Sequence, residues 1–288
     1  MEPIGKKELW SFVAKCKHSR KVTNTLIRKD EGHKVSDYLD LARKVAELQF
    51  RNRDYVLLFR GQRNDYRTSQ KEATTLRPSL FRSDNIAPGD DGWNAYIEKQ
   101  FSRLRCAEQS LVDMYQGDEE SSQYLKRHRI IQWALLQHYE VCGTPLLDVT
   151  HSLRIAASFA SHENTTRAYL YVLGVPNLGG AVTASAEAGL QILRLSSVCP
   201  PQAVRPHIQE GYLLGEYPDI PDFDQKRHYK AFEVDFGRRL IAKFNFNPQS
   251  FWNQATFPLV QRDALFPDDR DPLFQLSKRV KDSLPKGD

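Results

Sequence analysis

Apolar residues recur at helical spacing in "SDYLDLARKVAELQF" (36–50), which predicts a helix capped by Ser36. "DYVLLFRG" (54–61) reads as a strand. Its two-residue period puts Val56, Leu58 and Arg60 on one face. The polar stretch up to residue 92 predicts a loop, and a long helix follows at 93–116, broken by "DEESS". The most apolar helix is predicted at 121–142, ended by Gly143 and Pro145. "TPLLDV" reads as a short strand. "THSLRIAASFAS" reads as a helix opening at Thr150 or Ser152, with Ala156, Ala157 and Ala160 small enough to pack tightly on a sheet. Strands are predicted at 167–175, 190–197 and 232–246, a strand or turn and strand at 204–217, and a helix at 271–284. The elements do not alternate regularly, so the pattern predicts an α+β fold rather than a doubly wound sheet.

Charge changes this picture. The chain has 288 residues and a formal net charge of +5, unevenly placed. The first 30 residues hold eight Lys and Arg against three acids. Residues 51–82 hold Arg51, Arg53, Arg60, Arg63, Arg67, Lys71, Arg77 and Arg82 against Asp54, Asp65 and Glu72, and "LKRHR" (125–129) adds a further cluster. Basic stripes attract polyanions, of which nucleic acid is the commonest, although a solvated basic face needs no partner. No apolar run is long enough to span a membrane. The first 17 residues lack an apolar core and a small-residue cleavage site, which predicts an unexported, cytoplasmic chain. Cys16, Cys106, Cys142 and Cys199 are far apart, which suits a reducing compartment and argues against structural zinc. His138 and Cys142 are four apart, but two ligands do not make a site, so no metal is expected.

Three stretches carry candidate chemistry. Arg60 ends an apolar strand beside Gly61, which allows close approach, and Gln62, which adds a donor and an acceptor. A guanidinium there is a fork for phosphate or carboxylate, or the partner of an internal acid. His138 lies on the apolar side of its predicted helix. Asp148 ends a short strand, and Thr150, His151 and Ser152 open a helix whose N–H groups either hold a phosphate or are simply capped. Gln209 and Glu210 precede Gly211 where a turn meets a strand.

In order, "FRGQ" (59–62), "LRPSLFR" (76–82), "WALLQHYEVCGTPLLDVTHSLRIAASFA" (133–160), "YLYVL" (169–173), "RPHIQEGYL" (205–213) and the stretch 238–276 resemble the FRG domain, over about residues 54–277. The chain departs from that family at Glu140, where glycine usually follows "QHY", and in "TPLLDVT", where "TRLLDWT" is usual. Residues 1–50 fall outside the resemblance and are expected to form an N-terminal helical segment preceding a domain at 51–280.

The motif order is in turn similar to that of ADP-ribosyltransferases. That likeness implies a curved, split antiparallel sheet with packed helices, and NAD as co-substrate. It implies catalytic roles for Arg60, Asp148 and Thr150, with Gln209 or Glu210 as the third motif. Arg60, Gly61, Gln62, His138, Tyr139, Thr150 and Ser152 would bind the dinucleotide. With the basic stripes it suggests RNA as the preferred acceptor, and a toxin or antiviral effector restrained by an antitoxin protein. The alternatives are a nucleotide- or nucleic-acid-binding module without turnover, and a hydrolase of another phosphodiester or glycosidic bond.

Overall fold

A computed structural model describes residues 4, 7–68, 72–83, 85–86, 88–162, 166–177, 179–218, 222–227, 234–252, 257–267 and 270–285. Ten strands are seen among them: β1 (Glu8–Ser11), β2 (Arg20–Thr23), β3 (His33–Lys34), β4 (Val56–Gln62), β5 (Leu147–Thr150), β6 (Ala168–Val175), β7 (Val182–Ser185), β8 (Leu190–Arg194), β9 (Gly211–Glu216) and β10 (Leu240–Phe246). The first two form a hairpin. The other eight form one sheet in the order β3-β10-β6-β4-β5-β9-β8-β7, antiparallel throughout except where β3 meets β10. The seven longer helices among the described residues are α1 (Asn24–Lys29), α2 (Tyr38–Arg51), α3 (Trp93–Met114), α4 (Glu119–Arg127), α5 (Arg129–His138), α6 (Leu153–Ser161) and a closing helix, Pro272–Ser283. The fold is α+β, as the pattern predicts. Among the described residues no helix is long and apolar enough to cross a membrane.

The sheet is continuous, yet it narrows at one seam. β4 pairs with β6 over seven residues but with β5 only through Phe59 and Thr150. Four strands lie on either side of that single pair. One hydrophobic cluster gathers α2 and α6 around β4, β6 and β10, and a second packs α3, α5 and the closing helix behind Leu193 and Leu213.

Several elements differ from the sequence reading. The segment expected to be helical over 1–50 also contains the β1–β2 hairpin and β3, which extends the main sheet. Asp37 rather than Ser36 caps α2, accepting from the Asp40 N–H at 2.9 Å. "DEESS" starts a helix: Asp118 caps α4 and Glu119 and Glu120 sit in its first turn, where the helix dipole favours acids. The helix predicted over 121–142 is divided at His128, whose φ of −118° and ψ of 87° leave the helical region. The stretch 190–197 leaves the sheet after Arg194 and turns into a short helix, Leu195–Val198. In 204–217, Pro206 starts a helical turn, Arg205–Ile208, before β9. The strand expected from residue 232 starts at Leu240, after a 3-10 turn at Phe236–Arg239; residues 232 and 233 lie outside the described residues, as does Lys71 of the basic stripe.

A polar row crosses the sheet beside the seam. Register places Arg60, Tyr171 and Lys243 side by side on β4, β6 and β10. Lys243 is 1% exposed and donates to Asp65 and Thr74, both at 2.8 Å, and the Tyr171 hydroxyl also reaches Asp65, at 3.1 Å. A buried ammonium needs such partners. Here they fasten the segment after β4 across the face of the sheet.

Candidate active site at the sheet seam

Where the β4–β5 ladder gives out, a cavity of about 370 Å³ opens, within the range of small-molecule sites. Arg60 enters it from the end of β4. Its partner in the ladder direction is the backbone carbonyl of Asp148, to which a terminal guanidinium nitrogen donates. Its Nε is buried and has no partner. Burial first, and the like charge of Arg82 second, pull the Arg60 pKa down to about 10, against the attraction of Asp148. A partly desolvated guanidinium lining a cavity is placed to take an acceptor from outside.

Gly61 is required by the layer beneath. A Cβ there would come within 1.8 Å of the Ala156 carbonyl oxygen, so α6 crosses directly on the strand. The small residues Ala156, Ala157 and Ala160 are all fully buried, as their spacing predicts.

Arg82 also lines the cavity, at the end of a 3-10 turn, Ser79–Phe81. It is exposed as a whole residue and its Nε donates to the Arg77 carbonyl at 2.7 Å. Even so, the surrounding walls hold its pKa below the usual arginine range, opposed by Asp148. The turn is clamped by Gln137 and Thr144. The Ser79 hydroxyl donates to Gln137 Oε1 at 2.9 Å, the Thr144 hydroxyl donates to the same oxygen at 2.6 Å, and the Leu80 N–H donates to the Thr144 carbonyl at 3.2 Å.

Gln137, so held, donates through Nε2 to the Asp148 carboxylate. Asp148 therefore cannot swing freely. Burial raises its pKa, while Arg60, the Gln137 bond and Arg82 in turn favour the charged form. Thr150 lines the same cavity and donates to the carbonyls of Gln209 and Glu210, at 2.8 and 3.1 Å, which stitches β5 to the turn before β9. Gln209 is buried against the cavity, with its Nε2 given to the Leu265 carbonyl at 2.8 Å.

His138 sits at the end of α5, 8% exposed, with Nε2 unpartnered at the cavity wall. Burial and then the Arg205 charge press its pKa down to about 3, partly offset by Asp271, so the imidazole is neutral. Tyr139 serves another purpose: its hydroxyl donates to Asp271 at 2.7 Å, in a buried corner where Asp271 also accepts from the Val204, Arg205 and Leu273 N–H groups. Glu140 follows in a left-handed conformation, φ 56°. Its N–H reaches the Gln137 carbonyl at 3.1 Å and the Val141 N–H reaches Leu136 at 2.9 Å, the double closure of a Schellman motif.

Of the residues singled out in the sequence, Arg60, Gly61, His138, Asp148, Thr150 and Gln209 meet around one cavity. Glu210 does not line it: it is exposed at φ 44°, and its carbonyl, rather than its carboxylate, takes the Thr150 and His151 bonds. Ser152 takes the N-cap position of α6 without a side-chain cap bond, and neither it nor His151 lines the cavity. Gln62 is the last residue of β4, with a buried and unpartnered Oε1, outside the lining. Sequence reasoning misses Gln137, Ser79 and Glu140 as site residues and counts Arg82 only among the basic residues. The signal for them lies in "LRPSLFR" and "LLQHYE".

Residues 56–168 match the family model of the FRG domain, less than half of the chain. No curated protein and no solved structure matches it.

Proposed function

We propose that the chain, an FRG-domain protein whose sheet seam opens between two arginines, is an NAD-dependent ADP-ribosyltransferase acting on a macromolecule, with RNA the preferred acceptor. The observation that carries this reading is the Arg60 guanidinium, depressed in pKa by burial and lining the same cavity as Arg82 and Asp148.

In this reading Arg60 and Arg82 hold the pyrophosphate of NAD by charge-assisted hydrogen bonds. The bond from the ribose C1 carbon to the nicotinamide nitrogen breaks, and its electron pair leaves with neutral nicotinamide. Asp148 and Gln209 flank the positive charge that develops on the ribose. Fixed groups of this kind contribute on the order of several kcal/mol to such a step. An acceptor hydroxyl or amine then bonds to C1 and releases its proton. The stripe that includes Arg63 and Arg77 supports a polyanionic acceptor. A cytoplasmic enzyme of this type would need restraint by an antitoxin-like partner.

A second reading, a nucleotide-binding module without turnover, draws on one observation. Glu210, the only acid of the third motif, stands outside the lining. One experiment separates the two. The protein is incubated with NAD and RNA, DNA or protein, and mass spectrometry follows free nicotinamide and a mass gain of one ADP-ribose on any polymer. Nicotinamide release with RNA modification supports transfer. Saturable NAD binding without release supports the module, and neither binding nor release defeats both.

A further inference from the structure

The seam cavity holds charges of both signs, and their arrangement determines which phosphates it can take. Arg60 and Arg82 are balanced by Asp148 within the cavity and Glu140 at its edge. The lining is therefore formally neutral rather than cationic. Asp148 cannot leave: Gln137 grips its carboxylate, and Ser79 and Thr144 in turn grip Gln137. Any phosphate that pairs with the Arg60 and Arg82 guanidinium groups in this cavity must lie within the field of that carboxylate.

The repulsion depends on how many charges each phosphate brings. A phosphodiester, or the inner phosphates of a dinucleotide, carries one. A terminal monoester approaches two near neutral pH, because its second ionisation falls at about pH 6.

We propose that Asp148 is a charge filter: it makes the cavity accept nucleotides whose phosphates are all esterified, and disfavour those ending in a phosphate monoester. This rests on the cavity being the nucleotide site, but not on any turnover there. The groups facing Asp148 are Arg60 from β4, Arg82 beyond the 3-10 turn, and Gln137 and Glu140 from α5 and its C-terminal turn. Burial already disfavours the charged form of Asp148, so an added dianion would either be repelled or force a proton onto it.

The test uses adenosine diphosphate and its terminal methyl ester, which differ by one methyl group and one ionisation. Affinities are measured calorimetrically on the full chain at pH 7.5 and pH 5.5. Wild-type protein is expected to bind the ester about tenfold more tightly at pH 7.5, and the ratio should shrink towards one at pH 5.5 as the terminal phosphate regains one proton and becomes a monoanion. Asp148→Asn should bind both more tightly and lose the preference at either pH. Equal affinities in the wild type at pH 7.5 would overturn the proposal, as would a preference that survives at pH 5.5 or in Asp148→Asn, since a methyl-shaped pocket rather than charge would then be responsible. Failure to bind either nucleotide also overturns it. Nicotinamide release from NAD is scored separately, so the filter can stand while transfer fails, or the reverse.

Discussion

The guanidinium of Arg60 donates to the backbone carbonyl of Asp148, 88 positions further along the chain. That bond stands where a regular β4–β5 ladder would continue, and it leaves the rest of the Arg60 fork facing the cavity. The hydrogen bond is a modest tie, about 1 kcal/mol, and Arg60 is also a desolvated cation whose removal relieves an unfavourable burial. Arg60→Ala is therefore expected to leave the circular dichroism spectrum unchanged and to weaken nucleotide binding by at least about tenfold, as charge-assisted bonds to phosphate contribute about 1.5–3 kcal/mol. Arg60→Lys should recover little, because an ammonium lacks the fork. A global loss of structure in Arg60→Ala would make the residue a structural ion-pair member instead.

Gly61 tests how α6 seats on the strand. An alanine Cβ would meet the Ala156 carbonyl oxygen at 1.8 Å, far inside contact, and the obstacle is helix backbone that cannot rotate away. Gly61→Ala is expected to cost about 3 kcal/mol, the upper end for overpacking, read from urea unfolding. An unchanged midpoint would contradict the seating of α6.

Much of this frame is legible in the sequence, and the failures have physical causes. The alternation that puts Arg60 at a strand end, and the small residues of α6, are dictated by packing and can be read directly. The cap at Asp118 escapes a reading in which an acidic run breaks a helix, because the same run at a helix start is a favourable N-terminus. The division at His128 leaves little local signal, since the run "LKRHR" around it contains neither proline nor glycine to break a helix. Gln137 and Ser79 are invisible as site residues. Their roles come from a clamp between parts of the chain 58 residues apart, and no periodicity encodes it.

The departure from the family at Glu140 has a structural meaning. The residue occupies the left-handed position of a Schellman motif, where an L side chain costs roughly 1 kcal/mol and glycine does not. Glu140→Gly is expected to stabilise the protein by about 1 kcal/mol in urea unfolding. It should also strengthen anion binding, because Glu140 adds to the repulsion felt at Asp148. A destabilised variant would mean that the carboxylate contributes more than its backbone strain takes away.

His138 makes stability depend on pH in one direction. Its pKa falls from 6.5 in the unfolded chain to about 3 in the fold. Between those values the unfolded chain holds a proton that the folded one does not. Its contribution is therefore intact above pH 6.5 and declines as pH falls through that window, by up to about 1.4 kcal/mol per unit. From about pH 7 to about pH 5 the wild type should lose about 2 kcal/mol more than His138→Gln, measured by urea unfolding at both values. Parallel losses would show that the imidazole is solvated and charges freely.

Arg67 and Arg167 border the same groove but are tied to the fold to different degrees. Arg67, a member of the basic stripe, lines the groove and is also tied internally: its guanidinium donates to Asp65 and to the carbonyls of Lys29, Asp30 and Glu72. Arg63 and Arg167 line a groove beside Tyr169, over whose ring Arg167 lies at 5.2 Å, an arrangement suited to stacking a base. Arg67→Glu should lower stability by about 1–2 kcal/mol, since it removes four donated bonds and sets an added acid beside Asp65. Arg167→Glu should leave the unfolding midpoint nearly in place. It should also reduce the salt dependence of single-stranded RNA binding, by about 0.7 in the log–log slope for each phosphate no longer neutralised. Fluorescence anisotropy at several salt concentrations measures that slope. A wild-type slope near zero, or a slope untouched by Arg167→Glu, would remove RNA from this groove and turn the search to a protein acceptor.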